Sequence, residues 1–450
     1  MASHLSNLSS RMKSAAKILP PIRDPSFGSL FDQFGNYKVV LIGDGSHGTS
    51  EFYQARAEIT KHLIMHHGFD TVAVEADWPD AESVDRYVRQ RPGVKSKLDP
   101  VQEPAFRRFP TWMWRNKEVQ EFVHWMRDHN ERLPKERRAG FYGLDLYSMG
   151  LSIQAIIKYL DRVDPPMAML ARKRYACLEP WVEDPSQYGL AALRSPRLES
   201  CEKKVIQMLR DLLSKRLEYS AYEHNGEEFH SSEQNAYLVA DAEAYYKAMY
   251  VRSADSWSLR DSHMFETLRR LLNVKPESCK AVVWAHNSHI GDARYTSMGT
   301  RRGELNLGQL CRENLGQDNV ALVGCCTHTG TVAAAHDWDE DVQVMKVNPS
   351  RLDSWEYVAH GTGIPSFLLD LRPNHADSDL RQALAQERKE RFIGVVYRPQ
   401  TEVMSHYSSA SLSRQFDAMV WFDETRAVTP FETAQPHTAL GVDETYPFGL

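Results

Sequence analysis

Three short apolar runs constrain this chain most, because each one stops at a titratable residue. Val39-Val40-Leu41-Ile42 leads into Gly43-Asp44-Gly45-Ser46-His47-Gly48-Thr49. Thr71-Val72-Ala73-Val74 leads into Glu75-Ala76-Asp77-Trp78, and Ala281-Val282-Val283-Trp284-Ala285 into His286-Asn287-Ser288-His289. Runs of this kind read as strands buried on both faces, the pattern of a parallel sheet covered by helices. Parallel strands end on one edge, and open α/β sheets bind ligands at that edge. His47, Glu75, His286 and His289 are therefore expected to converge on one rim. A single such His would read as a satisfied structural residue. Together they read as an active site.

The remaining pattern supports an α/β class with a mixed, largely parallel sheet flanked by helices. Strands are expected at 38–42, 71–75, 140–145, 281–285, 320–323, 342–347, 367–371, 393–397 and 419–422. Helices are expected at about 50–66 and 80–89. Strand signals vanish over 151–272, where Val205, Met208, Leu209, Leu212 and Leu213 repeat at helical steps. A second long helix is expected over 235–249. The chain thus divides into an N-terminal extension (1–36), a first part of the core (37–150), a helical subdomain (151–275) and a second part of the core (276–450). The stretch 184–196, with Pro, Gly and Ser, reads as a loop.

Composition narrows the class. A hydrophobic fraction of 42% with 25% charged residues is ordinary for a globular chain. The net charge of -6 argues against a nucleic-acid surface. No stretch approaches the roughly 18 apolar residues of a membrane span. The N-terminus lacks the apolar core of a signal peptide, so a cytoplasmic location is expected. Six cysteines in 450 residues are too sparse for a disulfide framework, and Cys325-Cys326 read as small buried thiols.

Several segments resemble the erythromycin esterase family. They are Gly43 to Thr49 with Glu51-Phe52-Tyr53 and Arg56, then Val74-Glu75-Ala76-Asp77-Trp78-Pro79-Asp80. Arg108-Phe109-Pro110-Thr111-Trp112-Met113-Trp114-Arg115-Asn116 and Phe141-Tyr142-Gly143-Leu144-Asp145-Leu146-Tyr147 follow. Arg260-Asp261-Ser262-His263-Met264, Trp284-Ala285-His286-Asn287-Ser288-His289-Ile290-Gly291-Asp292 and Ser405-His406-Tyr407 complete the set. The resemblance runs from about residue 38 to 448. It implies hydrolysis of a macrolactone ester, with His47 as general base. The family usually has Glu where this chain has Asp44, which is one methylene shorter.

The residues themselves suggest how such chemistry would run. An unperturbed imidazole titrates near neutral pH, which suits His47 to take a proton from water. Asp44 or Glu75 would hold the resulting imidazolium, and His286 would polarise the carbonyl or protonate the leaving alkoxide. Arg56 shares a helical face with Phe52, Ile59 and Leu63, so it points inward and needs a partner. Glu75 is the expected one. Trp78, Trp112, Tyr147, His406, Tyr407 and His289 are candidate walls of a substrate cleft, although aromatics also pack cores.

The sequence also bears on a metal site and a serine nucleophile. His47, Glu75, His286 and His289 carry donor atoms suited to zinc, but no His-Glu-x-x-His helix or Cys pair is present, so no metal or cofactor is expected. His4, His66-His67 and His124 read as surface or packing residues, and His263 as structural or a pocket wall. No Gly-x-Ser-x-Gly elbow supports a serine nucleophile. The expected partners are a small macrolactone or other ester and water, with no nucleic acid and no membrane. The alternative is a hydrolase or biosynthetic factor for another acyl or polysaccharide substrate, with or without a metal.

Overall fold

The computed structural model describes residues 2–91, 105–194, 200–222, 226–274 and 279–434, with the side chains of 2–4 and 222 left aside. His4 and the last residues of the family resemblance therefore lie outside what is described. The strands are β1 (Lys17–Ile18), β2 (Val39–Ile42), β3 (Thr71–Asp77), β4 (Gly140–Asp145), β5 (Ala281–Trp284), β6 (Val320–Ala334), β7 (Gln343–Val347), β8 (Ser366–Asp370), β9 (Arg388–Arg391), β10 (Tyr407–Ala410) and β11 (Ala418–Thr425).

All but β9 and β10 form one sheet, in the order β1-β8-β11-β6-β2-β5-β3-β4, with β7 added to β6. From β11 to β4 every pairing is parallel, while β8, β1 and β7 pair antiparallel. The register matters for function. Ile42, Trp284, Val74 and Gly143 lie in one row across β2, β5, β3 and β4. β2 and β5 end at this row, β3 and β4 run on to Asp77 and Asp145, and the residues beyond the row share one rim.

Alternation along the strands divides the interior in two. Val39, Leu41, Ala73, Ala281 and Val283 pack into a core shared with the helices of 149–272. Val40, Ile42, Val72, Val74, Val282 and Trp284 pack into a core with the helices Ser50–His67, Trp78–Val88 and Lys117–Glu131. The strands are apolar on both faces because helices cover both. The helix Ser50–His67 stops at Gly68, which adopts φ 71° as the left-handed cap.

Three expectations are corrected. Residues 393–397 form no strand. Their backbone makes single bridges to Ser46 and Ala335, while β9 and β10 form a separate two-stranded ribbon. Gly394 breaks the run, and the hydrogen bonds go to the loop after β2 instead: His47 N–H donates to Ile393 O and Ile393 N–H to Gly45 O. The supposed loop at 184–196 is a helix, Pro185–Arg194, with the proline at the first helical position where its missing N–H costs nothing. Cysteine sparsity did not preclude pairing, since Cys177 and Cys201 form a disulfide. Cys325 and Cys326 are buried and free, as read.

Candidate active site

The loop Gly43 to Thr49 presents Asp44 and His47 from the end of β2. Asp44 is fully buried and reaches two groups at once. Its Oδ1 lies 3.2 Å from His47 Nδ1, and its Oδ2 lies 2.8 Å from Arg56 Nη1. Burial opposes ionisation of Asp44, but the charges of Arg56 and His47 hold its carboxyl below the usual range. Arg56 also lies over the rings of Tyr53 and Trp284. The expected Arg56–Glu75 pair does not form. β5 is inserted between β2 and β3, so Glu75 belongs one strand further away.

The partner of Glu75 is Arg260, from the helix Ser253–Leu272. Its Nη2 lies 2.7 Å from Glu75 Oε1 and 2.6 Å from Asp145 Oδ2, and its Nε donates to Asp145 Oδ1 at 3.0 Å. Asp145 ends β4, so four adjacent strand ends contribute to one cluster. His289 completes it, with Nε2 3.3 Å from Glu75 Oε1 and Nδ1 2.9 Å from Asp261 Oδ2. Burial works against the charged form of His289, yet Asp261 and Glu75 raise its pKa to about 9, so it is an imidazolium at neutral pH. Burial likewise opposes ionisation of Glu75, but His289 and Arg260 hold it well below the carboxylate range.

His286 behaves in the opposite way. Burial and the neighbouring His47 push its pKa down to about 3, so its ring is neutral. Its Nδ1 accepts from the Ser288 backbone N–H at 3.4 Å and faces Ser288 Oγ at 2.8 Å. Those contacts assign the proton to Nε2, which is buried and makes no hydrogen bond. The His286 backbone N–H donates to Glu75 Oε2 at 2.8 Å. The rings of His47 and His286 are 4.7 Å apart, and His47 Nε2 lies 3.9 Å from Glu75 Oε1. His47 thus stands beside a ring that offers an N–H donor.

A cleft of about 70 Å³ opens beside these groups. His47, Glu75, Asp145, Tyr147 and Arg260 line it, with Phe106, Phe109, Trp114 and Trp338 as apolar walls. Asp77 and Asp80 also face it. Ser148 Oγ lies 2.7 Å from Asp77 Oδ2 and 3.1 Å from Asp80 Oδ2. One hydroxyl proton cannot serve two carboxylates, and burial together with Asp77 raises Asp80 to about 6.

The structure places the other sequence candidates elsewhere. His289 sits beneath Arg260, its ring stacked on Trp257 at 4.4 Å. Trp78 lines a separate cavity of about 900 Å³, beside Tyr142 and Phe229, that shares no lining residue with the cleft. Trp112 is buried in the core beneath the second sheet face. His406 Nδ1 contacts Phe392 O and its Nε2 accepts from Arg398 N–H, while Tyr407 OH accepts from Arg351 N–H. His263 pairs with Asp241. Arg260 and Asp145 were not singled out from sequence. The signal was present, since Trp257, Met264, Phe265, Leu268 and Leu271 put Arg260 on an inward helical face by the argument that found Arg56.

Buried carboxylates, a charged and a neutral imidazole, and a histidine on the wall of a cleft thus meet at one edge of the sheet. The chain belongs to the erythromycin esterase family: residues 64–425 match that family's profile, beginning downstream of His47. YbfO of Bacillus subtilis (strain 168), named as a candidate hydrolase, is 20% identical over 407 residues, covering 87% of this chain and 84% of YbfO. Two solved structures share the fold. A succinoglycan biosynthesis protein aligns with TM-score 0.77 at 20% identity, over 95% of this chain and 99% of that one. A mutant of the erythromycin esterase EreC in its open conformation aligns with TM-score 0.66 at 16% identity, over 90% and 95%. Among the described residues no helix is long and apolar enough to cross a membrane.

Proposed function

We propose that this protein is a carboxylic ester hydrolase that opens the lactone ring of a macrolide such as erythromycin. The observation that carries the reading is the position of His47, with Nδ1 against Asp44 and Nε2 turned toward Glu75 at the cleft wall. In this scheme His47 Nε2 takes a proton from water as the water oxygen bonds to the ester carbonyl carbon. The carbonyl oxygen gains the negative charge and meets the His286 Nε2–H. The charge then returns, the C–O bond to the ring oxygen breaks, and His47 gives its proton to that oxygen. His286 polarises and does not protonate, because its ring is neutral. Arg260 holds Glu75 and Asp145 in place and acts as a positioning residue.

The second reading, a different acyl or polysaccharide substrate, is favoured by the size of the cleft. About 70 Å³ accommodates water and a small group, whereas drug-sized ligands occupy roughly 300–1,000 Å³. A macrolactone must part the wall formed by Phe106, Phe109 and Trp338. Incubating purified protein with 14- and 16-membered macrolactones, simple esters and acylated polysaccharides separates the readings. Ring-opened product, formed by the native chain and lost in His47→Ala, supports the first. Turnover of acylated polysaccharide alone replaces it with the second.

A further inference from the structure

At the far end of the helix Ser50–His67, His62 and His67 aim their Nε2 atoms at one oxygen, Asp32 Oδ1, at 2.6 and 2.7 Å. Asp32 comes from the seven-residue 3-10 helix Gly28–Phe34 of the N-terminal extension. The three donor atoms lie within 4.8 Å of one another, and no other group of this kind occurs among the described residues. We propose that Asp32, His62 and His67 form a binding site for a zinc-like divalent transition ion, which clamps the N-terminal extension to the helix that carries Arg56.

The donor set selects the ion. Two imidazole nitrogens and one carboxylate oxygen suit zinc, nickel, copper or cobalt, whereas calcium and magnesium call for oxygen ligands. A zinc ion about 2.0–2.2 Å from each donor needs them close together and facing a common point, as they do here. The imidazoles are the better covered, with side chains 13% and 22% exposed, while Asp32 at 57% leaves an entry path for the ion and its remaining water ligands. The His66 ring lies 4.6 Å from that of His62, tilted by 43°.

The backbone is shaped to bring these groups together. The glycines at the two ends of the 3-10 segment lie directly against the rings. A Cβ on Gly28 would meet His62 Cβ at 2.6 Å, and a Cβ on Gly35 would collide with His67 Nδ1. His67 lies in the last turn of a long helix, where the negative end of the helix dipole favours a cation. Lys280 bonds the carbonyls of Gly35 and His67 and Lys61 pairs with Glu58, so these nearby cations are already engaged. His67 is about 16 Å along the helix from Arg56, at about 1.5 Å rise per residue, so the ion would act on the scaffold and not on the ester.

The test uses the full chain without a polyhistidine tag, stripped with chelator and titrated with Zn²⁺ by calorimetry and with Co²⁺ by visible absorption. One equivalent should bind, the melting temperature should rise, and hydrolysis should be unchanged. His67→Ala and the surface change Asp32→Asn should weaken binding by more than the roughly 10–100-fold typical of losing an outer-shell partner. Absence of stoichiometric Zn²⁺ binding in the native chain overturns the proposal. So does wild-type binding by the folded His62→Ala/His67→Ala variant. Binding that survives in that variant and vanishes in His47→Ala would place the ion in the catalytic cluster instead.

Discussion

Asp44 joins His47 to Arg56, with one carboxylate oxygen 3.2 Å from the imidazole and the other 2.8 Å from the guanidinium. Both partners are buried, so a single side chain orients the proposed base and neutralises a cation that water cannot reach. Removing its charge therefore has two separable effects.

Asp44→Asn should lower turnover and destabilise the fold by about 3–5 kcal/mol, the usual cost of leaving a buried ion without its partner. Adding Arg56→Met to Asp44→Asn should recover stability and leave turnover low. Urea unfolding and ester hydrolysis on the single and double variants check this. A single variant as stable as the native chain would show that Arg56 does not depend on Asp44.

Arg260→Lys should reduce kcat on the order of 10²-fold, the scale of a misplacement of about 1 Å. An ammonium is a point charge and cannot span Glu75 and Asp145 as the planar guanidinium does. Steady-state kinetics should show the loss in kcat more than in KM. An unaltered kcat would remove Arg260 from the positioning role.

The stability of the fold should fall as pH rises from about 6.5 through about 9 because of His289. Its pKa is raised in the folded state, so its contribution is complete below the unfolded value and disappears as the folded group deprotonates. The full effect is on the order of 3 kcal/mol. Urea midpoints measured from pH 6 to 10 should decline more steeply for the native chain than for His289→Gln. Parallel curves would contradict the assignment.

Prolonged chelation should leave hydrolysis within about twofold, well short of the tenfold that about 1.4 kcal/mol produces. Arg56 and Arg260 already occupy the carboxylates of Asp44, Glu75 and Asp145, and guanidinium groups there repel a divalent cation. Activity lost to chelator and restored by zinc or manganese would overturn the acid–base scheme.

Much of this arrangement was legible in the sequence. Apolar runs that end in Asp44, Glu75 and His286 announce a parallel sheet and its rim, because continuous burial leaves a period-free pattern. Strand order was not legible. The sequence places β3 next after β2, and nothing local says that β5 slips between them, so Arg56 was matched with the wrong carboxylate. The aromatics misled for a related reason. Trp78 and Trp112 follow polar motifs closely, but side-chain direction at a helix start is set by packing on the sheet, which turns Trp78 into the larger cavity and Trp112 into the core. The segment 393–397 has the composition of a strand, and only the tertiary contact with the loop after β2 decides where its backbone bonds go.

That contact has a consequence for biosynthesis. The loop bearing His47 is fastened by backbone bonds to Ile393, a residue made long after it. A chain leaving the ribosome holds the proposed base early and its support late, so the site can assemble only near the end of translation. Ribosome-stalled chains ending before residue 390 should therefore show no hydrolysis, and chains released at full length should acquire it only as this long-range contact forms.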